Sequence, residues 1–336
     1  MASKPSIFVL NTGGLITAKK MGRTWHPGLY TTEEFLKGMP KLGAIADIDT
    51  GDLFRIDSAQ MQPDNWSTLA NFLHPKIRKY DGVVILHGTD AMAYSAAALS
   101  FMLQNTGKPI MFTGAQYAPD QVGSDAQRNT SDAIKVAANS ELGETAIVFN
   151  RKIFRATRCR KVSDTEYEAF AAAEQGLLGT VEHEIRLQPH AKRRKNSAPK
   201  AMPTVEPNVL LVKTHPGFNA ATVECLASGG ARGAVVETYW SAMAPQRTHV
   251  LSALHHLAET MPVALTRDTL VGGCEHDGES AEDKKWSKNL ISCQDMLTET
   301  ALAKLMWALG QSRDPKKVRK TMETNVAGEM AHTKKK

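Results

Sequence analysis

Short, largely apolar runs, three of which break off into a polar, glycine-bearing loop, constrain this chain more than any other feature. Residues 7–10, 83–86, 110–113 and 146–149 are such runs, rich in Val, Ile, Leu and Phe. Runs this short and this uniformly apolar fit strands buried on both faces of a parallel sheet. Helical patterns lie between them. Residues 66–72 open behind Pro63-Asp64-Asn65, residues 91–103 are Ala- and Leu-rich, and residues 124–138 set Ala126, Ile134 and Val136 among polar neighbours. Proline at a helix start suits the first of these. Strand–helix alternation of this kind predicts a doubly wound α/β sheet with its site at the carboxyl ends of the strands.

The chain has 336 residues, enough for two domains. Periodicity stops between residues 188 and 207, where QPHAKRRKNSAPKAMPTVEP is rich in Pro, Ala and Lys. That stretch reads as a linker between domains at 1–187 and 208–336. Strands are expected again at 209–212, 234–236 and 263–265, with helices near Ala220–Ala227, 250–259, 298–309 and Pro315–Glu323. In the third of these helices Leu302, Leu305, Met306 and Leu309 share a face, Thr298 is placed to cap the start, and Gly310 to end it. The expected fold class is therefore α/β: a larger N-terminal flavodoxin-like domain and a smaller C-terminal parallel domain.

Composition narrows the function. Hydrophobic residues make up 42% and charged residues 23%, an ordinary globular balance. No apolar run approaches bilayer length. The N-terminal apolar stretch runs directly into Thr12-Gly13-Gly14 and reads as a first strand instead of a secretory signal, so the expected location is cytoplasmic. Cys159, Cys225, Cys274 and Cys293 form no CxxC pair and read as reduced structural thiols. No metal and no cofactor are expected. The formal charge of +6 is concentrated in Lys192-Arg193-Arg194-Lys195 and Lys334-Lys335-Lys336. Neither run is interleaved with aromatics, so both read as solvated linker and tail, and nucleic acid is not the expected partner.

Three loops at expected strand ends carry polar chemistry. The first is Asn11-Thr12-Gly13-Gly14-Leu15-Ile16-Thr17, whose paired glycines allow close backbone approach or simply a tight turn. The second is His87-Gly88-Thr89-Asp90. A hydroxyl beside a carboxylate is a plausible reactive pair, because threonine needs a base before it attacks a carbonyl. Asp90 is equally placed to cap the alanine-rich helix that follows. The third, Thr113-Gly114-Ala115-Gln116, has the same position but little chemistry of its own. His87 reads as a hydrogen-bonded structural histidine, and the pairs His183/His190 and His255-His256 as surface residues.

Taken together, these loops resemble the type I, cytoplasmic-type asparaginases. Val83–Tyr94 reads VVILHGTDAMAY, similar to the family's HGTDTMAY signature. TGGLI stands where the family has TGGTI. Ile56-Asp57-Ser58 with Met61, Pro63 and Trp66 resembles its DSSxMxPxxW segment, and Ser124-Asp125-Ala126 its SDG or SDA segment. Phe149-Asn150 with Arg155, Arg158 and Lys161 follows in order, as do Pro216-Gly217, Ala244-Pro245, Asp295-Met296, Glu299 and Lys304-Leu305.

The resemblance implies hydrolysis of asparagine to aspartate and ammonia through a covalent acyl-enzyme, in a homodimer or homotetramer whose sites lie between subunits. Carried over by residue, it implies Thr89, Asp90 and Lys161 as the catalytic group. Gly14, Ser58, Thr89, Asp90 and Ala115 are implied as substrate-binding residues. Other positions depart from the pattern. Leu15 stands at the nucleophilic threonine, Trp25 at the lid tyrosine, Ala91 at the second threonine of HGTDT, and Met243 at an asparagine reaching a neighbour's substrate. Leucine has no hydroxyl, and an indole N–H is a donor only. Two readings follow: an amidohydrolase that attacks with another hydroxyl among Thr12, Thr17 and Thr89, Thr89 foremost because Asp90 and Lys161 accompany it, or a non-catalytic amino-acid-binding or regulatory protein.

Overall fold

A computed structural model describes residues 3–227, 229–239, 247–272 and 289–331. The chain divides into two compact units, Met1–Pro203 and Thr204–Lys336.

The first unit is an eight-stranded sheet. Its strands are β1 (Ser6–Gly13), β2 (Asp47–Ile56), β3 (Gly82–Leu86), β4 (Ile110–Thr113), β5 (Thr145–Phe149), β6 (Lys152–Arg155), β7 (Leu177–Val181) and β8 (Ile185–Leu187). The spatial order is β8-β7-β6-β5-β4-β3-β1-β2. Strands β1 to β5 are mutually parallel, and β6, β7 and β8 add antiparallel pairs at one side. The parallel part has the order 2-1-3-4-5, in which the direction of winding reverses between β1 and β3. Ligands of such sheets bind outside the carboxyl ends of the strands at that switch point. The segments that leave β1 and β3 are Gly14–Thr17 and His87–Asp90, which belong to two of the three loops that the sequence marks.

Strand β2 and the antiparallel addition were not marked by the sequence pattern. β2 reads DIDTGDLFRI, lies at the sheet edge and has no fully buried residue, so it lacks the apolar run of a buried strand. The helix after it spans Pro63–Lys79, well beyond residues 66–72, and passes through Pro75. Trp66, Leu69, Ala70, Leu73 and Ile77 are its buried residues, at helical spacing on both sides of the proline. Trp66 Nε1 donates to Ser95 Oγ at 2.9 Å on the next helix, Met92–Met102.

The 188–207 stretch is not a free linker. Arg193 bridges to Leu142, and Lys200–Ala201 pairs with Leu103–Gln104. The Arg194 guanidinium donates to the carbonyls of Ser140 at 2.6 Å, Asp81 at 2.8 Å and Ala137. This arginine, read as solvated charge, is half-buried mortar for the first unit, and its burial draws its pKa below the usual range. The buried Glu144–Arg155 pair, 2.8 Å apart, also accepts the Lys192 peptide N–H.

The second unit is a four-stranded parallel sheet, Val209–Lys213, Gly233–Thr238, Val263–Arg267 and Ile291–Ser292, in that spatial order. Helix Thr298–Gln311 packs its apolar face on it. Its start differs from expectation: Leu297 is the N-cap residue, and the Thr298 hydroxyl bonds to Glu237 Oε2 at 2.7 Å. Gly310 lies inside the last turn, where the backbone of Thr204 passes, and the helix ends at Gln311.

Candidate active site

The two switch-point loops touch through glycine. Gly14 has φ +81° and ψ 176°, a conformation essentially confined to glycine. A Cβ there would sit 2.3 Å from the Gly88 nitrogen. The Gly14 N–H donates to the Ile56 carbonyl at 2.9 Å, and this brings in the end of β2 and, just beyond it, Ser58. A Cβ on Gly88 would in turn sit 2.5 Å from Ser58 Oγ. Three chain segments therefore converge with only backbone and one hydroxyl between them.

Each hydroxyl of the first loop already has a structural task. Thr12 Oγ1 donates to the Leu86 carbonyl at 2.8 Å and tethers β1 to β3. Thr17 Oγ1 donates to Asn11 Oδ1 at 3.0 Å. Both threonines are fully buried. Between them Leu15 is partly buried and opens a single 3-10 turn, Leu15–Thr17. Of the three hydroxyls that the sequence offers, Thr12 and Thr17 are thus not brought to the site's surface.

Thr89 is. Lys161, at the end of the short strand Cys159–Lys161, places Nζ 2.8 Å from Thr89 Oγ1 and 2.6 Å from Asp90 Oδ1. The Asp90 side chain is 59% exposed, and that of Lys161 18%. Asp90 does not cap the following helix: Ala91 occupies the N-cap without a side-chain bond, and the Asp90 carboxylate goes to Lys161. The cap's work falls partly to Ser58, whose Oγ accepts the Asp90 N–H at 3.2 Å and the Ala91 N–H at 3.5 Å. Ser58 is 3% exposed, and its own proton remains to donate.

The third loop has more chemistry than its sequence suggests. Ala115 is buried in the wall. Gln116 spans from Thr89 to the 163–166 segment: its Oε1 accepts from Thr89 Oγ1 at 3.5 Å, and its Nε2 donates to the carbonyls of Ser163 and Glu166. Its backbone N–H is held by Asp125 at 3.0 Å, and Asp125 in turn accepts from Asn129 Nδ2 at 2.9 Å. The one sequence signal for Gln116 is its place directly after a strand of the parallel sheet.

His87 is fully buried, with Nδ1 2.7 Å from the Gly88 carbonyl and the ring edge-on to Phe112. Burial pulls its pKa down to about 4, so it is neutral at neutral pH. Trp25 lies on the hairpin Lys19–Met21/Thr24–His26, partly buried, with the Lys20 ammonium 5.9 Å from its ring centre. Met243 falls outside the described residues. Among the described residues no cluster of three or more His, Cys, Asp or Glu is arranged to hold a metal ion, and no helix is long and apolar enough to cross a membrane.

Known proteins share this architecture. The family model described as "Asparaginase, N-terminal" matches residues 6–193, and "Glutaminase/Asparaginase C-terminal domain" matches residues 208–322. The chain belongs to the asparaginase family. It is 32% identical to an L-asparaginase of Thermococcus kodakarensis over 96% of this chain and 98% of that one. It is also 32% identical to a glutamyl-tRNA(Gln) amidotransferase subunit of Pyrococcus abyssi, over 97% of this chain and 77% of that protein. The solved thermostable L-asparaginase from Thermococcus kodakarensis superposes with a TM-score of 0.88, covering 97% of this chain and 99% of that one. L-asparaginase I from Vibrio cholerae gives 0.88 at 29% identity, covering 98% of this chain and 100% of its own.

Proposed function

We propose that this asparaginase-family chain binds an asparagine- or aspartate-class amino acid where the loops after β1 and β3 meet, and that it has lost hydrolysis through a first-loop nucleophile. One observation carries the loss: the residue after Gly14 is Leu15, and the flanking hydroxyls are buried in structural bonds, that of Thr12 across two strands and that of Thr17 within the loop. Binding is supported by what remains. Ser58 offers a hydroxyl proton to an α-carboxylate, Asp90 an exposed carboxylate to an α-ammonium, and Gly14 and Ala115 bare backbone around the side chain. On this reading Leu15, Trp25, Ala91 and Met243 are altered site positions. A homodimer or homotetramer in the cytoplasm belongs to the same reading.

The Thr89–Lys161–Asp90 contacts favour a second reading, an amidohydrolase that attacks with Thr89. An ammonium has no lone pair. Lys161 would first pass a proton to Asp90, 2.6 Å away; the resulting amine would take the Thr89 proton as Oγ1 adds to the carboxamide carbon, and would return it to the nitrogen as the C–N bond breaks and ammonia leaves, after which water would hydrolyse the acyl ester and free Thr89.

Ammonia release from L-asparagine separates the two. The native chain is expected to stay near the blank and Leu15→Thr to rise at least about tenfold above it, since a missing nucleophile costs a site several orders of magnitude. Native turnover above about 1 s⁻¹, within the ordinary enzyme range, refutes the loss. If Thr89→Ala then abolishes that turnover, the second reading stands.

A further inference from the structure

The segment that joins helix Thr32–Leu36 to β2 forms one wall of a groove, and the start of helix Ala126–Asn139 forms the other. The groove holds about 500 Å³, within the usual range for a small-molecule site. Met39, Leu42 and Ile45 give it an apolar floor that is continuous with the core of the first unit. Lys41 on one wall and Arg128 on the other are exposed. Among the described residues neither is paired with a carboxylate. Arg128 Nη2 donates to the Asn150 amide oxygen at 3.4 Å, and its guanidinium lies 5.5 Å from the Tyr167 ring centre. Ser131 Oγ donates to Met39 Sδ at 3.8 Å, a weak acceptor that an anion would displace. Among the described residues no acid lines the groove. Asp132, next on the helix, is not in its lining, and its Oδ2 is buried.

A neighbouring groove provides a contrast. It shares Met39, Pro40 and Leu42, but Glu33, Asp47 and Asp49 line it as well. Its Lys37 is already paired with Glu33 at 3.2 Å. Two grooves with a common apolar edge therefore differ in the sign of charge they present.

We propose that the groove between residues 38–45 and the start of helix Ala126–Asn139 binds a small amphipathic carboxylate. Its apolar tail lies on Met39, Leu42 and Ile45, and its head meets Lys41, Arg128 and the Ser131 hydroxyl. Two cations with no acid beside them select an anion. An apolar floor selects a tail over a compact ion. The groove shares no residue with the site where the loops after β1 and β3 meet, so its test is independent of amino-acid binding.

Calorimetric titration of the full-length chain with octanoate tests this, with hexanoate, acetate and octylammonium as comparisons. Octanoate is expected to bind with a Kd below about 1 mM, and hexanoate about tenfold more weakly because two methylenes leave the floor. Acetate should give no heat. Octylammonium has the same tail and the opposite charge, and should bind at least about tenfold more weakly than octanoate. The double variant Lys41→Gln/Arg128→Gln alters exposed side chains only, and should bring octanoate and octylammonium to within about twofold of each other. Ser131→Leu fills the groove and should abolish octanoate binding. Lys37→Gln, in the neighbouring groove, should leave it unchanged. No heat from octanoate at millimolar concentration overturns the assignment, as does equal affinity for octanoate and octylammonium in the native chain. An equal loss in Lys37→Gln and in the double variant also overturns it. So does a native oligomer that Ser131→Leu dissociates in sedimentation velocity, because a second copy of the chain then covers the groove.

Discussion

Replacing Gly14 by alanine probes the geometry on which the site depends. The φ of +81° and ψ of 176° at this residue cost a non-glycine side chain about 1–3 kcal/mol. The added Cβ would lie 2.3 Å from the Gly88 nitrogen and 2.4 Å from its Cα. Both are backbone atoms, so no side-chain rotation relieves the overlap. Ordinary carbon contacts begin at about 3.5 Å, so the two loops must separate by about 1 Å. Such a shift also pulls Gly88 from Ser58 and strains the Gly14–Ile56 hydrogen bond. Strain and overlap together should destabilise the first unit by at least about 2 kcal/mol, lowering its melting temperature by about 4 °C or more. Hydrogen exchange should rise at residues 12–17 and 87–91 before it rises elsewhere in the sheet. Calorimetry should show amino-acid binding weakened at least about tenfold. A Gly14→Ala chain that melts within 1 °C of the parent and keeps its ligand affinity would refute the claim that the loops meet through bare backbone.

Two further perturbations report on buried charge outside the site. Lys304 and Glu329 are fully buried at 2.5 Å, and Lys304 also donates to the carbonyls of Met322 and Thr324. Lys304→Met should therefore cost the second unit about 3–5 kcal/mol in urea unfolding, and adding Glu329→Gln should recover part of that; equal losses in the single and double variants would contradict the coupling. Asp132 is held above its ordinary 3.8, at about 6, chiefly by burial and against the pull of Arg151, Arg128 and Lys135. Its folded pKa lies above the unfolded one, so the stability it contributes is complete below pH 4 and is lost as pH rises through 6. Asp132→Asn should flatten that slope and stabilise the chain above pH 6 by about 1 kcal/mol; a parallel pH profile in the variant would show that the group titrates normally.

The sequence by itself determined the parallel core and the loops that bear on the site. Runs such as 83–86 are apolar on both faces, and only a sheet covered on both sides hides them, so the fold class and the polar strand ends were legible without coordinates. It also determined that Leu15 brings no hydroxyl. The edge strand Asp47–Ile56 escaped notice because its exposed residues carry no such pattern, and helix Pro63–Lys79 ran past Pro75 because packing outweighed local propensity. Tertiary structure alone decided how the polar groups are spent. Thr12 and Thr17 look as available as Thr89 in the sequence, but the Leu86 carbonyl on a neighbouring strand takes the proton of Thr12, and the loop's fold turns Thr17 onto Asn11. Asp90 looks like a helix cap until Lys161, 71 residues away, takes its carboxylate. Arg194 looks like a solvated charge until three carbonyls surround it. Gln116 looks like an ordinary loop residue until the carbonyls of Ser163 and Glu166 orient its amide. Apolar burial is written in local pattern, because each strand carries its own signal. The direction of a hydrogen bond depends on a partner that only folding brings within 3.5 Å.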